Sequence, residues 1–364
     1  MGQYARPAAI AGDNAVKRSD QFRQEEEKMS SDTIKRYPMP MPFGWFAVSY
    51  SDELAPSESR AVHYFDQELV LFRTEAGKAV LMEAYCPHLG AHLGHGIRER
   101  SGTGGGRIEG NNIVCPFHSW KFSPEGECVE VPYAKNMPPK VAGKKCLKTF
   151  PITETNQVVW AWYHPDGAAP LWDVIAHDEA NNADDWSPLN RYEWIINTHP
   201  QEMAENAADP AHFMYVHGTA SFPEWETTYD GPMVRGLQVA NMPTPRGEVK
   251  GSIRTGAAGP GQGFTKFEGI ADTFLMGLTT PIDQHKVQVR FAFIQPKING
   301  EVKKGGVNAA IIANIVGQLE EDKPIWEHKI YRPLPVLCDG DGPIAKFRKW
   351  YSQFYADGFD PRGL

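Results

Sequence analysis

The sequence predicts an α+β fold, a small antiparallel β domain followed by a larger antiparallel sheet with helices at its C-terminal end. Three observations predict it. Between Trp45 and about His164, short apolar and β-branched runs are separated by turn signals. Longer strand-like segments follow at Phe264 to Glu268, Thr273 to Met276 and Lys286 to Ile294. Val307 to about Trp326 then places Val307, Ile311, Ile315 and Leu319 at helical spacing. Phe347, Trp350, Tyr351 and Phe354 make a second core-facing helical stripe near the end.

In chain order, residues 1–36 are polar with a charge run from Arg23 to Lys28, which predicts a mobile leader, with Met29 as an alternative start. A first domain is expected over 37–165 and a second over 166–364, since 364 residues suit one large or two ordinary domains. Glu68 to Phe72 and Ala79 to Met82 read as strands joined by a hairpin at Glu75 to Lys78. Ile113-Val114 is a short strand, Ser123 to Gly126 a turn, and Val158 to Tyr163 a strong strand. Pro165 to about Ser187 is rich in Asp, Asn, Pro and Ala and reads as a linker.

Composition narrows the function. A net charge of −8 without a basic run argues against nucleic acid. The apolar stretches fall far short of the ~20 residues a membrane span needs, and no signal-peptide core is seen near the start. Five cysteines form no disulfide framework, which suits a reducing cytoplasm.

The chemistry concentrates in two places. The first reads Cys86-Pro87-His88 and then Cys115-Pro116-Phe117-His118. Two Cys–His pairs suit a [2Fe–2S] cluster of the Rieske type, with thiolates on one iron and neutral imidazoles on the other. That ligation sets a potential of roughly −150 to +300 mV, against about −400 mV for a plant-type ferredoxin cluster. A structural zinc site could use the same residue types, but here Cys and His alternate within each arm, Pro follows each Cys, and Trp120 follows the second arm. His92 and His95 are spare histidines, read as loop hydrogen-bonding groups.

The second place is His212 and His217. Two histidines with one carboxylate suit Fe(II), leaving positions open for dioxygen beside a substrate. An ideal helix would set residues five apart at roughly 140°, so the helix must end or distort between them. Gly218 fits such an end. The alternative is that both are structural or solvent-facing. Asp209 precedes Pro210 and can cap a helix; it could also serve a metal-bound imidazole, which wants an acceptor on its other nitrogen.

Cys86-Pro87-His88-Leu89-Gly90-Ala91 and Cys115-Pro116-Phe117-His118-Ser119-Trp120 resemble the arms of Rieske non-haem iron oxygenases. Asn206, Asp209, His212 and His217 follow the Asn-x-x-Asp-x-x-His-x4-His pattern of that family's catalytic domain. Two departures stand out: Ser119 replaces the usual Gly before Trp, and Arg98 to Gly106 is an insertion between the arms. Each doubling of such a loop costs only about 0.6 kcal/mol.

The resemblance implies a helix-grip (START-like) second domain and a carboxylate ligand from the long C-terminal helix. Asp322 matches best, with Glu320 and Glu321 as alternatives. It implies that Asn206 borders the iron and that Asp209 links His212 to His118 of a neighbouring chain in a homotrimer. It further implies one [2Fe–2S] cluster and one Fe(II) per chain, with electrons from a separate ferredoxin or reductase. NADH would act only through that partner, because Gly102 to Gly106 lacks the strand-then-helix setting of a dinucleotide fingerprint. The tail around Ile325 to Lys329 and Phe347 to Tyr355 is similar to the steroid and sterol branch, the 3-ketosteroid 9α-hydroxylases and cholesterol 7-desaturases. The expected activity is hydroxylation of a bulky apolar, steroid-like substrate with O2. Alternatives are an aromatic or other non-steroid substrate undergoing dihydroxylation, demethylation or desaturation, a pure electron carrier, and a hydrophobic-ligand binding protein.

Overall fold

Strands β1 (Gly44–Tyr50), β2 (Ser59–Tyr64), β3 (Gln67–Arg73) and β4 (Ala79–Glu83) open the chain in the computed structural model, which describes residues 36–96, 105–218, 224–244, 247–269, 271–303, 305–356 and 358–359. The expected leader before residue 36 and most of the insertion between the Cys–His arms lie outside the described residues. The run Leu69-Val70-Leu71-Phe72 is buried throughout because β3 is covered on both faces. Alternate side chains of a strand point to opposite faces. Leu69 and Leu71 join one core with Phe46 and Leu81, whereas Val70 and Phe72 join another with Met82, Ile113 and Phe122.

The second of these cores carries the loops. It is capped by a four-stranded sheet of β5 (Ile108–Glu109), β6 (Asn112–Val114), β7 (Lys121–Phe122) and β8 (Cys128–Glu130) in sequential order. Strands β9 (Thr149–Phe150), β10 (Ile152–Thr155) and β11 (Val158–Tyr163) then complete the two other sheets of this region, β2-β3-β4-β9 and β1-β11-β10. The segment expected as a linker contains one helical turn, Asp178–Asn181. It is pinned by Asn156, whose Oδ1 accepts from His177 N at 2.8 Å and Asn181 Nδ2 at 2.9 Å.

Seven antiparallel strands make the large sheet, ordered β12-β18-β17-β16-β15-β14-β13. They are β12 (Asn190–Ile196), β13 (Glu224–Asp230), β14 (Met233–Thr244), β15 (Gly247–Ala258), β16 (Gln262–Glu268), β17 (Thr273–Asp283) and β18 (Lys286–Ile294). The long helix Val307–His328 packs on this sheet through Ile312, Ile315, Leu319 and Trp326. The inward stripe is therefore shifted from the sequence expectation: Ile312 is buried while Val307 is 51% exposed. The helix also runs on through Pro324.

Residues 39–364 form one compact unit. Polar side chains join its sheets across the expected domain boundary. Thr280 Oγ1 and Arg290 Nη1 both donate to the Ala47 carbonyl, at 2.6 and 2.9 Å, and Arg290 Nη2 donates to Tyr64 Oη at 2.9 Å. Of the unit that ends at Pro38, the described part shows Arg36 Nη2 donating to Tyr37 Oη at 2.8 Å.

Candidate metal centres

The two Cys–His arms fold into the same kind of turn. Gly90 N donates to the Cys86 carbonyl at 3.0 Å, and Ser119 N donates to the Cys115 carbonyl at 3.1 Å. Each turn is closed again by its cysteine amide, Cys86 N to Ala91 O at 2.9 Å and Cys115 N to Trp120 O at 2.8 Å. The geometry needs a left-handed residue at one corner. Gly90 takes it at φ +74° and Ser119 at φ +60°. That is why glycine suits this corner, and why Ser119 holds it under strain.

The turns bring His88 and His118 to a ring separation of 4.8 Å. His88 lies flat on Trp120, 4.6 Å away at 8°, and Trp120 Nε1 donates to Tyr133 Oη at 2.8 Å. Both cysteines are buried. Cys115 is pulled down to about 6, first by its hydrogen bond with Cys86 and then by the Phe117 and His118 amides, against the opposing effect of burial. Cys86 is pushed up, first by the same hydrogen bond and then by burial. The two sulfurs thus share one hydrogen bond, which eases loss of one proton from the pair.

His118 Nδ1 is buried with no hydrogen-bond partner among the described residues, and a bound metal would satisfy it. Among the described residues, the group whose ligand atoms lie within 4.8 Å of one another is His212, His217 and Asp322. Cys86 and Cys115 hydrogen-bond to each other and the His88 and His118 rings face each other, a pairing that suits two thiolates on one iron and two imidazoles on the other. Of the spare histidines, His92 Nδ1 accepts from Gly94 N at 2.9 Å within its loop.

Around the second centre, local sequence breaks the helix where the chemistry needs it. Helix Pro200–Glu205 is capped by His199 and gives way to a 3-10 turn, Asn206–Ala208. Asp209 then caps a new helix, Pro210–Tyr215, its Oδ1 accepting from Ala211 N at 3.0 Å and His212 N at 3.3 Å. This helix stops before His217, and Gly218 turns away at φ +67°. The break sets the His212 and His217 rings 5.2 Å apart.

Asp322 arrives from the long helix. Its Oδ2 lies 3.4 Å from His217 Nε2 and accepts from Asn206 Nδ2 at 3.2 Å. Trp326, one helical turn further on, donates from Nε1 to Asn206 Oδ1 at 3.3 Å. Burial raises the Asp322 carboxyl above its ordinary value and lowers the His212 imidazole below its own. Neutral imidazole is the form that binds a metal.

The three acids of the helix divide. Asp322 faces both histidines, Glu321 Oε2 meets His217 Nδ1 at 2.8 Å, and Glu320 Oε1 accepts from Trp194 Nε1 at 2.5 Å. Within the chain, Asp209 meets the His212 ring through its backbone carbonyl, 2.5 Å from Nδ1, because its carboxylate is engaged at the helix start. Sequence reasoning missed the parts of Glu321 and Trp326. For Trp326 a signal exists: it lies one helical turn from Asp322 and so shares its face.

His212, His217 and Asp322 line a cavity of about 320 Å³ between the large sheet and the C-terminal helices. The other walls are mostly apolar, including Phe264, Leu275 and Phe291 from strands, Ile315 and Leu319 from the long helix, and Trp350 near the chain end. Such a site can hold a metal beside a mostly apolar ligand chamber.

Residues 44–151 match the Rieske [2Fe-2S] domain, and residues 161–355 match the 3-ketosteroid 9alpha-hydroxylase C-terminal domain. The chain is 30% identical over 346 residues to cholesterol 7-desaturase nvd of Xenopus laevis, spanning 87% of this chain and 72% of that one. It is 27% identical over 344 residues to the probable 3-ketosteroid-9-alpha-monooxygenase oxygenase component of Rhodococcus rhodochrous, spanning 88% and 81%. Dicamba monooxygenase bound to dicamba shares the fold, with a TM-score of 0.63 at 16% identity over 86% of this chain and 96% of that one. The class is thus that of the Rieske oxygenases, which are enzymes with a [2Fe–2S] cluster. Within it, this chain belongs to the 3-ketosteroid 9α-hydroxylase family. No helix among the described residues is long and apolar enough to cross a membrane.

Proposed function

We propose that this chain is the terminal oxygenase component of a multicomponent monooxygenase that hydroxylates a bulky apolar, steroid-like substrate with O2. The observation that carries this reading is the close approach of His212, His217 and Asp322 on the wall of an apolar cavity, in a chain that also bears the cluster loops. We assign Cys86, Cys115, His88 and His118 to the [2Fe–2S] cluster and His212, His217 and Asp322 to one Fe(II). The domains are then 37–165 for the cluster and 166–364 for the iron. When bound, the cluster supplies single electrons at a mild potential and the iron supplies a place to activate dioxygen.

The chain's own residues do the rest. Asn206 and Trp326 hold the Asp322 carboxylate in line, and the Asp209 carbonyl sets the His212 ring with Nε2 toward the site. The apolar walls keep water out and orient a hydrophobic substrate. The cavity lies at the lower end of the usual small-molecule range of about 300–1,000 Å³. The steroid reading draws on the names of the relatives, which describe 3-ketosteroid and cholesterol enzymes. Electrons come from a separate ferredoxin or reductase, and NADH acts only through it. In a homotrimer Asp209 would stand between His212 and His118 of a neighbouring copy. All five cysteines are unpaired, in keeping with a reducing cytoplasm.

The test is a substrate screen with a surrogate ferredoxin and reductase, following oxygen uptake and product mass over ketosteroids, sterols and aromatic acids. Steroid-dependent uptake with one oxygen atom added is expected. A product lacking two hydrogens would move the reaction to desaturation. Uptake coupled only to aromatics would overturn the steroid reading.

A further inference from the structure

His217 is bracketed by two consecutive residues of one helix. Its Nε2 faces Asp322 Oδ2 at 3.4 Å, and its Nδ1 faces Glu321 Oε2 at 2.8 Å. Neighbouring residues on a helix point roughly 100° apart, so they can serve one ring only when it lies in the angle between them. The His217 side chain is 2% exposed, whereas that of Glu321 is 54% exposed. A carboxylate at the rim therefore reaches a ring that solvent does not. The other histidine is held differently, by a backbone carbonyl at its Nδ1.

We propose that Glu321 is a positioning residue for the mononuclear centre: it accepts a hydrogen bond from His217 Nδ1–H, leaves Nε2 bare toward Asp322, and strengthens that nitrogen as a donor. The inference rests on reading His212, His217 and Asp322 as metal ligands. Its physical basis is general. A ligating imidazole is oriented, and its tautomer fixed, by the acceptor on its second nitrogen, and losing that acceptor weakens metal affinity ~10–100-fold. The competing view is that Glu321 is an ordinary solvated acid of a helix surface, worth little. The burial of its partner ring argues against that.

The test uses the full chain with its [2Fe–2S] cluster intact and the mononuclear site emptied by mild chelation. Cobalt(II) alone is titrated in, read by equilibrium dialysis and by its visible bands. Glu321→Ala is expected to weaken cobalt(II) binding ~10–100-fold. Glu321→Gln, which keeps an acceptor oxygen but not the charge, should fall between, and Glu320→Ala should match the wild type. The cluster absorption should be unchanged throughout, which also reports folding. Wild-type affinity in Glu321→Ala would overturn the positioning role. If His217→Ala bound cobalt(II) as tightly as the wild type, the ligand assignment would fall, and this inference with it.

Discussion

The two proposed metal centres are built in opposite ways. The cluster loops are local: each arm is a short turn closed by its own backbone, and every donor sits within it. The second centre is assembled over distance. Its histidines come from one broken helical segment, but its carboxylate comes from a helix whose Asp322 and partner Asn206 are 116 residues apart. A local site depends on turn chemistry. A distant one depends on the sheet holding two helices in register.

That difference should show when each centre is damaged. The largest effect is expected from Cys115→Ser, which removes a proposed thiolate ligand. Acid-labile sulfide and visible absorption should vanish and turnover should stop, while residues of the other centre keep their metal. Asp322→Ala should do the reverse, with cluster absorption retained and mononuclear iron lost. Normal iron content there would move the ligand to Glu320 or Glu321.

Asp209→Ala sharpens the comparison between capping and bridging. Loss of the helix cap should cost about 1 kcal/mol by denaturant unfolding. Both centres should stay assembled while single-turnover product yield collapses; unchanged yield would leave Asp209 as a cap only. The smallest effect belongs to the turns themselves. Ser119→Gly should stabilise the cluster loop by about 1 kcal/mol, because an L residue there pays for its left-handed backbone. Thermal loss of cluster absorption measures it, and no gain would mean that the Ser119 side chain compensates for the strain.

The turns of the proposed cluster site were legible from the sequence, since Cys-Pro-His and Cys-Pro-Phe-His each lie within a single turn. The strands behind it were legible too: β3, β4 and β11 are apolar runs because both their faces are covered. The end of the helix before His217 was expected from helical periodicity, if both histidines serve one metal, and from Gly218, and the helix ends at Tyr215. Much of the large sheet did not. Strands β13 to β15 carry mixed polar and small residues, because one face lines a cavity and a side chain at Gly236 or Gly256 would run into Thr255 or Phe264. The helix stripe was misplaced because Ile311 and Ile312 are adjacent and equally apolar, so only packing chooses Ile312. Glu321 could not be singled out, since its role depends on where the His217 ring lies. The positive φ at Ser119 gives one of the two sequence departures a physical meaning.

The most direct measurement is metal and sulfide content of the anaerobically purified chain beside its His217→Ala variant. About three irons and two acid-labile sulfides per chain are expected for the wild type, falling to about two irons with sulfide unchanged in the variant. Zinc in place of iron and sulfide, or equal iron in both proteins, would contradict the account.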